Sequence, residues 1–286
     1  MDTIVVLTDL SPAAEQARRY AAQVAAPLGT RVALLHLSQE LTLPGNATQT
    51  SAEVRRTLPD KLQALADNML VPTTAEVLDG NFEDDMDTII ARYNPMLLVL
   101  GLTQANSYFE ALLSNRALSL LRHCGCPIVL VPASAALTPP YRMVLAVDDE
   151  AFVVPQPAAG VLDELITTWA VSPTVVNTVS SAAKASIAAL QQLQASGLLR
   201  GEQQLDYQQP VVSAPEEGIL RVVAEQRANL LVMVTRRRSL LGQLFHRSVT
   251  ARVLRSTTVP VLLLPCDDTP VAAKPKAADT YFVPLV

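Results

Sequence analysis

The stretch Pro127-Ile128-Val129-Leu130-Val131-Pro132 recurs 133 residues later as Pro260-Val261-Leu262-Leu263-Leu264-Pro265. The same offset, with no gap, carries Leu97-Leu98-Val99-Leu100-Gly101-Leu102-Thr103 onto Leu230-Leu231-Val232-Met233-Val234-Thr235-Arg236. An ungapped match over about 35 residues is hard to obtain by chance, and self-similarity of this kind is the sequence signature of a repeat. The N-terminal ends match more loosely, with Ile4–Asp9 corresponding to Met143–Asp148. The chain is therefore a duplication.

Each half alternates short β-branched runs with longer helical patterns, which predicts βαβ units, right-handed crossovers and a parallel sheet. The pattern predicts a first domain at 1–133, a linker at 134–141, a second domain at 142–265 and a tail at 266–286. The strands are predicted at about 3–8, 31–37, 74–78, 96–101 and 127–131 in the first half, and near 143–148, 174–179, 204–210, 230–235 and 260–264 in the second. The helices of the first half are predicted at 12–27, 52–69, 82–93 and 107–123.

The composition limits the classes of partner. Half of the residues are apolar but only 4% are aromatic, so the core must consist mainly of small and β-branched side chains, which suits helices on a buried parallel sheet. The formal net charge of -5 argues against a general nucleic-acid or anionic-membrane binder. Runs such as Leu230–Val234 are too short to span a membrane. Because Met1-Asp2-Thr3 adds no basic region before the first apolar stretch, we predict a cytoplasmic protein without a secretory signal.

The topology also predicts where a ligand would bind. Open parallel sheets bind ligands at the carboxyl ends of their strands, where the strand order reverses. In this chain that point lies beside the end of the first strand and the loop after the fourth strand of each half. The candidate groups are Asp9 and Asp148, together with the segments after Leu100 and Met233. Each aspartate could instead be an acceptor that ties the first strand to the next helix.

Three segments resemble the universal stress protein family. Ile4-Val5-Val6-Leu7-Thr8-Asp9-Leu10-Ser11 is similar to the family's opening strand, Val32-Ala33-Leu34-Leu35-His36-Leu37 to its second strand, and Cys126-Pro127-Ile128-Val129-Leu130-Val131 to its last. The resemblance implies two Rossmann-like domains of the adenine nucleotide alpha hydrolase type, each with a five-stranded parallel sheet flanked by helices. It also implies an intramolecular pseudo-dimer, in which strand 127–131 pairs with strand 260–264.

Many members of that family bind ATP or a related adenine nucleotide, so the resemblance implies a cofactor site for ATP or AMP, with Mg²⁺. The family signature is Gly, two residues, Gly, nine residues, then Gly followed by Ser or Thr, and its glycines let backbone N–H groups approach the phosphates. The cofactor-binding residues that the resemblance implies are Leu7, Asp9, Leu37, Leu100, Gly101, Gln104, Ser114, Asn115 and Arg116 in the first half, and Asp148, Val179, Arg237, Arg247 and Ser248 in the second.

Both halves depart from the glycine signature. Of the three glycine positions, the first half keeps Gly101 and places Gln104 and Ser114 at the others, whereas the second half keeps none. Losing two or three backbone phosphate contacts costs about 2–4.5 kcal/mol. That loss moves a micromolar site roughly 30- to 2000-fold, towards millimolar. The sequence therefore predicts a regulatory or stress-response protein with weak or no ATP binding, and at most a weak ATPase.

Other interpretations stay open. The first half could be an adenine-nucleotide-binding module, and the arginines of the second half could bind another anionic ligand, because guanidinium groups replace backbone amides as anion ligands. The same arginines could instead form a solvated loop that pairs with Glu216 and Glu217. Further partners predicted are a second copy of the chain and an unidentified regulatory protein. The arginine-rich cluster is Arg236, Arg237, Arg238, His246, Arg247, Arg252 and Arg255.

No catalytic or metal-ligating residues are predicted. The sequence has no P-loop and no His-Glu-x-x-His motif. Cys124-x-Cys126 lacks a second ligand pair, so the cysteines are interpreted as reduced and structural, with a zinc site as the alternative. His36 lies in an apolar strand, which is typical of a structural histidine.

Overall fold

A computed structural model describes residues 1–37, 51–78, 82–102, 125–199, 205–236 and 248–268. The predicted helix at 107–123 and most of the predicted tail lie outside the described residues. So do several of the implied site residues, which are Gln104, Ser114, Asn115, Arg116, Arg237 and Arg247.

The first half alternates strands and helices along the chain. Its strands are β1 (Thr3–Leu7), β2 (Arg31–Leu37), β3 (Thr73–Leu78), β4 (Leu97–Leu102) and β5 (Ile128–Pro132). The helices described between them are α1 (Pro12–Leu28), α2 (Ser51–Asp67) and α3 (Phe82–Tyr93).

The second half repeats this order with one additional short strand. Its strands are β6 (Met143–Ala146), β7 (Phe152–Val153), β8 (Thr174–Val176), β9 (Asp206–Gln208), β10 (Leu230–Arg236) and β11 (Val261–Asp268). Its α-helices within the described ranges are α4 (Gln156–Trp169), α5 (Ala188–Ser196), α6 (Pro215–Glu225) and α7 (Val249–Ser256).

Local sequence explains where α1 begins and ends. The Ser11 hydroxyl accepts a hydrogen bond from the Ala14 N–H at 3.2 Å, which satisfies one of the free donors of the first turn. Pro12 fills the first helical position, where no N–H is needed. Gly29 ends the helix with a φ of 62°, a left-handed conformation that glycine adopts without steric cost.

The main sheet is continuous through both halves. Its strand order is β3-β2-β1-β4-β5-β11-β10-β6-β8-β9, so both halves have the same topology, and their last strands are neighbours. The strand pairs along this order are parallel within each half. β5 and β11 pair antiparallel, with Val129 opposite Leu262. The predicted α/β fold with two Rossmann-like halves is confirmed.

Helices cover both faces of this sheet. Tyr20 of α1, Leu62 of α2, Leu162 of α4 and Leu193 of α5 pack on one face, in a core cluster that contains strand residues of both halves. Ile89 of α3, Val222 of α6 and Leu254 of α7 pack on the other face, again with strand residues of both halves. Because each core cluster crosses the β5–β11 junction, the two halves share their hydrophobic interior.

The predicted linker lies against α1. The side-chain N–H group of Gln16 donates to the Ala135 carbonyl at 2.5 Å, and that of Gln23 donates to the Leu137 carbonyl at 3.1 Å. Ala135 is buried and belongs to the same core cluster as α1. The connection is therefore packed onto the first half.

Several predicted strand ends are wrong. The last strand does not end at 264 but continues to Asp268, because residues 267 and 268 pair antiparallel with β7. Residues 266–268, predicted as the start of the tail, therefore belong to the sheet. β8 ends at Val176 instead of 179, although Val179 still forms an isolated parallel bridge with Val211.

Candidate functional site

Within the described strands, the order reverses once in each half, and open parallel sheets form a crevice at such a point. In the first half it lies between β1 and β4, and in the second between β6 and β10, at the carboxyl ends of the strands. In the first half the sheet brings Leu7 of β1 opposite Leu100 of β4, and Gly101 follows Leu100. Leu37 closes β2 but is only 2% exposed, so its side chain belongs to the core.

Asp9 follows β1 and organises the turn into α1. Its Oδ1 accepts a hydrogen bond from the Ser11 N–H at 2.9 Å, while the Thr8 hydroxyl oxygen accepts one from the Leu10 N–H at 3.1 Å. Leu10 has a φ of 62°, which is unusual for a residue with a side chain. The half-buried Asp9 therefore ties the strand to the helix, as one of the two interpretations of the sequence proposed.

Gly101 is required by helix packing. A Cβ at this position would lie 2.4 Å from the carbonyl carbon of Ala13 and 2.6 Å from the backbone nitrogen of Ala14. These atoms belong to the first turn of α1, which therefore packs directly on β4. The sequence related Gly101 to phosphate binding, whereas its contact with α1 already explains the glycine.

In the second half, Asp148 and Arg236 meet across the crevice. Arg236 Nε donates to Asp148 Oδ2 at 3.1 Å, and Nη2 donates to Oδ1 at 2.6 Å. The Arg236 side chain is 6% exposed. Its guanidinium also donates to the carbonyl oxygens of Glu150 and Ala151, at 2.8 and 2.9 Å. Arg236, a member of the arginine-rich cluster for which the sequence left an anion site and a solvated loop as alternatives, is bonded to the protein's own loop.

The other described candidates have structural contacts. The Ser248 hydroxyl accepts from the Ala251 N–H at 3.1 Å and caps α7. The Val179 N–H donates to the Pro210 carbonyl at 3.1 Å, and the Val179 carbonyl accepts from the Val212 N–H at 2.9 Å. Arg252 Nε lies 2.9 Å from a Glu216 carboxylate oxygen, which is the pairing that the solvated-loop interpretation proposed.

Asn177 was not identified from the sequence. It follows β8 and is 7% exposed. Its amide nitrogen donates to the Val147 carbonyl at 3.1 Å, and its side-chain oxygen accepts from Gln209 at 2.8 Å. An asparagine directly after an apolar strand is the signal that could have indicated it, because short amides often hydrogen-bond nearby backbone where strands end.

His36 lies beside the crevice of the first half. Burial lowers the pKa of this imidazole, and a hydrogen bond with the Thr8 backbone and the charge of Asp9 oppose that shift. Its Nδ1 atom is buried and has no hydrogen-bond partner. The neutral ring is therefore the form that the fold favours.

The described residues add two negative findings. Within the ranges that the structure describes, no three His, Cys, Asp or Glu side chains are grouped to hold a metal ion. No helix in the same ranges combines the length and the apolar character needed to cross a membrane.

A family model for the universal stress protein family matches residues 1–132 and 161–265. The chain belongs to the universal stress protein family. The unmatched residues 133–160 of this universal stress protein contain the linker, β6 and the loop with Asp148. The unmatched segment therefore includes Asp148, whereas its partner Arg236 lies within the matched residues.

Solved structures are similar over nearly the whole chain. A universal stress protein from Archaeoglobus fulgidus DSM 4304 has 15% identity and a TM-score of 0.61, covering 91% of this chain and 97% of its own. A protein of unknown function from Pseudomonas aeruginosa PAO1 has 16% identity and a TM-score of 0.55, covering 94% and 93%. At these identities the likeness shows the tandem fold.

A shorter match covers one half only. A universal stress protein family protein from Arabidopsis thaliana, solved with AMP bound, has 15% identity and a TM-score of 0.31, covering 46% of this chain and 92% of its own. No curated protein sequence matches this chain.

Proposed function

We propose that this universal stress protein is a regulatory stress-response protein that binds ATP or AMP weakly or not at all and has no strong turnover. The observation that carries the proposal is the contact of Gly101 with the first turn of α1. Gly101 is the one glycine that either half keeps at a phosphate-binding position, and packing alone requires it. Phosphate binding is therefore not needed to explain any glycine at these positions.

The chemistry of the second half supports the same proposal. A nucleotide ribose or a metal–phosphate pair at Asp148 would compete with a bidentate guanidinium at 2.6 and 3.1 Å. Charge-assisted pairs of this geometry are stronger than neutral hydrogen bonds. Asp149 and Glu150 place further negative charge beside the crevice, which disfavours phosphate. The described residues of this half therefore do not fit ATP with Mg²⁺.

The alternative function is nucleotide binding in the first half. Leu7 lies opposite Leu100 near the ends of β1 and β4, and Asp9 lies between β1 and α1, which supports this alternative. If a nucleotide binds to this chain, we expect it at that crevice and not in the second half. We propose that the protein acts through its surface, which binds a regulatory protein partner or a second copy of the chain, and not through bound nucleotide.

Calorimetric titration of the full chain with ATP and Mg²⁺, and separately with AMP, tests the nucleotide part. We expect no heat of binding, or a dissociation constant of about 1 mM. A dissociation constant in the low micromolar range contradicts the proposal. In that case Asp9→Ala and Asp148→Ala serve as a matched pair, since loss of binding in the first variant alone assigns the nucleotide to the first half.

Phosphate release from ATP tests the proposed lack of turnover. We expect the full chain to release phosphate at a rate at most slightly above the rate without protein. Turnover that Asp9→Ala abolishes contradicts the proposal, because it requires a reacting nucleotide beside that carboxylate. The Asp148→Ala variant controls for a contaminating hydrolase, which neither substitution would remove.

A further inference from the structure

The two halves differ in the segment between their first strand and first helix. In the first half, residues 8–11 join β1 to α1. In the second half, residues 147–155 join β6 to α4, and this longer segment contains β7. We call residues 147–155 the strap. The strap begins at the carboxyl end of β6, at the crevice that lies between β6 and β10.

Backbone pairing and burial hold the later part of the strap. Val153 pairs antiparallel with Asp267, and Phe152 with Asp268, in the extension of β11. Phe152 and Val154 are 3% and 5% exposed and belong to the same core cluster as Cys266. This part of the strap is therefore fixed to the last strand of the sheet.

Arg236 holds the earlier part of the strap. The residue ends β10, so its side chain reaches the strap from the opposite side of the crevice. Its guanidinium donates to the Asp148 carboxylate and to the carbonyls of Glu150 and Ala151. Asp148 Oδ1 also accepts from the Glu150 N–H at 3.1 Å, which shapes this turn of the strap.

We infer that Arg236 is a latch that holds the strap across the crevice of the second half, in the place where a ligand would bind. A buried guanidinium needs acceptors for its donors, and the strap supplies a carboxylate and two backbone carbonyls. Without the guanidinium, the strap loses these four hydrogen bonds from Arg236 at once. The earlier part of the strap, residues 148–151, then opens locally, while its later part stays paired with β11.

Hydrogen exchange of the full chain tests this latch without any ligand. In Arg236→Met, which removes the guanidinium and keeps an apolar stem, we expect the amides of residues 149–151 to exchange roughly 10- to 100-fold faster. Charge-assisted hydrogen bonds carry a factor of this size. The amides of residues 152–154, which β11 and the core hold, keep the wild-type rates. The amides of β6, at residues 143–146, keep the exchange rates of the wild-type protein. Because the measurement needs no nucleotide, its result is independent of the proposed function.

Arg221→Met is the matched control. Arg221 lies on α6 with a side chain that is 51% exposed, and its nearest described carboxylate oxygen, on Glu225, is 4.0 Å away. We expect wild-type exchange throughout the strap in this variant. Equal exchange of the strap in Arg236→Met and the wild-type protein overturns the latch. Full exchange of the strap amides in the wild-type protein also overturns the latch.

A second variant keeps the test decisive if Arg236→Met unfolds the whole chain. Asp148→Asn removes the carboxylate charge and leaves the bonds of Arg236 to the carbonyls of Glu150 and Ala151 in place. We expect faster exchange confined to the strap, by a smaller factor than in Arg236→Met. Unchanged exchange in Asp148→Asn then overturns the latch.

Discussion

The Cα of Gly101 lies so close to Ala13 that a Cβ built on it would be 2.4 Å from the Ala13 carbonyl carbon. The contact joins a strand end to the first turn of a helix, and both partners are backbone. Backbone cannot move aside as a flexible side chain can, so an added methyl group must displace α1 from the sheet. This relationship makes Gly101 a packing residue whether or not a ligand binds beside it.

We expect Gly101→Ala to lower the free energy of unfolding by about 3 kcal/mol, at the upper end of the usual cost of overpacking. Urea unfolding followed by circular dichroism measures this change. Gly160→Ala is the matched control, because Gly160 lies inside α4 with no heavy atom within 4 Å of the added Cβ. The control should raise the stability by about 1 kcal/mol, since alanine favours helix interiors over glycine. Equal stability of Gly101→Ala and wild-type protein contradicts the packing argument.

The sequence predicted the repeat and most strands because buried parallel strands are nearly continuous apolar runs. It did not predict β7, because Phe152-Val153 is too short to show a period, and its partner lies in the extension of β11. The topology placed Asp148 at the carboxyl end of its strand. The sequence did not predict the hydrogen-bonded ion pair between Arg236 and Asp148. The apolar pattern locates strand ends but does not give the direction of a long side chain.

The sequence also assigned Gly101 to phosphate binding, because the glycine motif describes a ligand loop and contains no information about the helix packed beside it. The contact between α1 and β4 depends on how closely two backbones approach. Side-chain patterns do not encode that distance. Structural and ligand-binding roles of a glycine are therefore hard to separate without coordinates.

Stability between pH 7.5 and pH 5 should depend on His36. Burial lowers the pKa of the folded imidazole, whereas the unfolded imidazole has a pKa of about 6.5. As the pH falls through the unfolded value, the unfolded chain takes up the proton first, so the free energy of unfolding decreases. The decrease stops once the pH is below the folded pKa. We expect His36→Leu to flatten this part of the curve, as measured by urea unfolding at several pH values.

Asp9→Asn should change the pH dependence of stability in the opposite direction to His36→Leu. The Asp9 charge raises the pKa of His36, so its removal should lower that pKa further and make the loss of stability on acidification larger. The carboxylates of Glu15 and Glu76 have lowered pKa values, and their stabilisation is lost only as the pH falls below about 4.5, outside this range. Identical pH curves for His36→Leu and wild-type protein would show that the buried imidazole does not control this range.

The two halves should unfold together, because β5 and β11 pair across their junction and each core cluster contains residues of both. We expect a single calorimetric transition whose van't Hoff enthalpy equals the calorimetric enthalpy. Leu262→Ala, at a fully buried position opposite Val129, should lower the stability by about 2–5 kcal/mol and shift the whole transition without splitting it. Leu70→Ala is the control, since Leu70 is 99% exposed and its loss should change the stability by less than about 0.5 kcal/mol. Two separate transitions in Leu262→Ala would show that the halves are stable independently and that the shared sheet does not couple them.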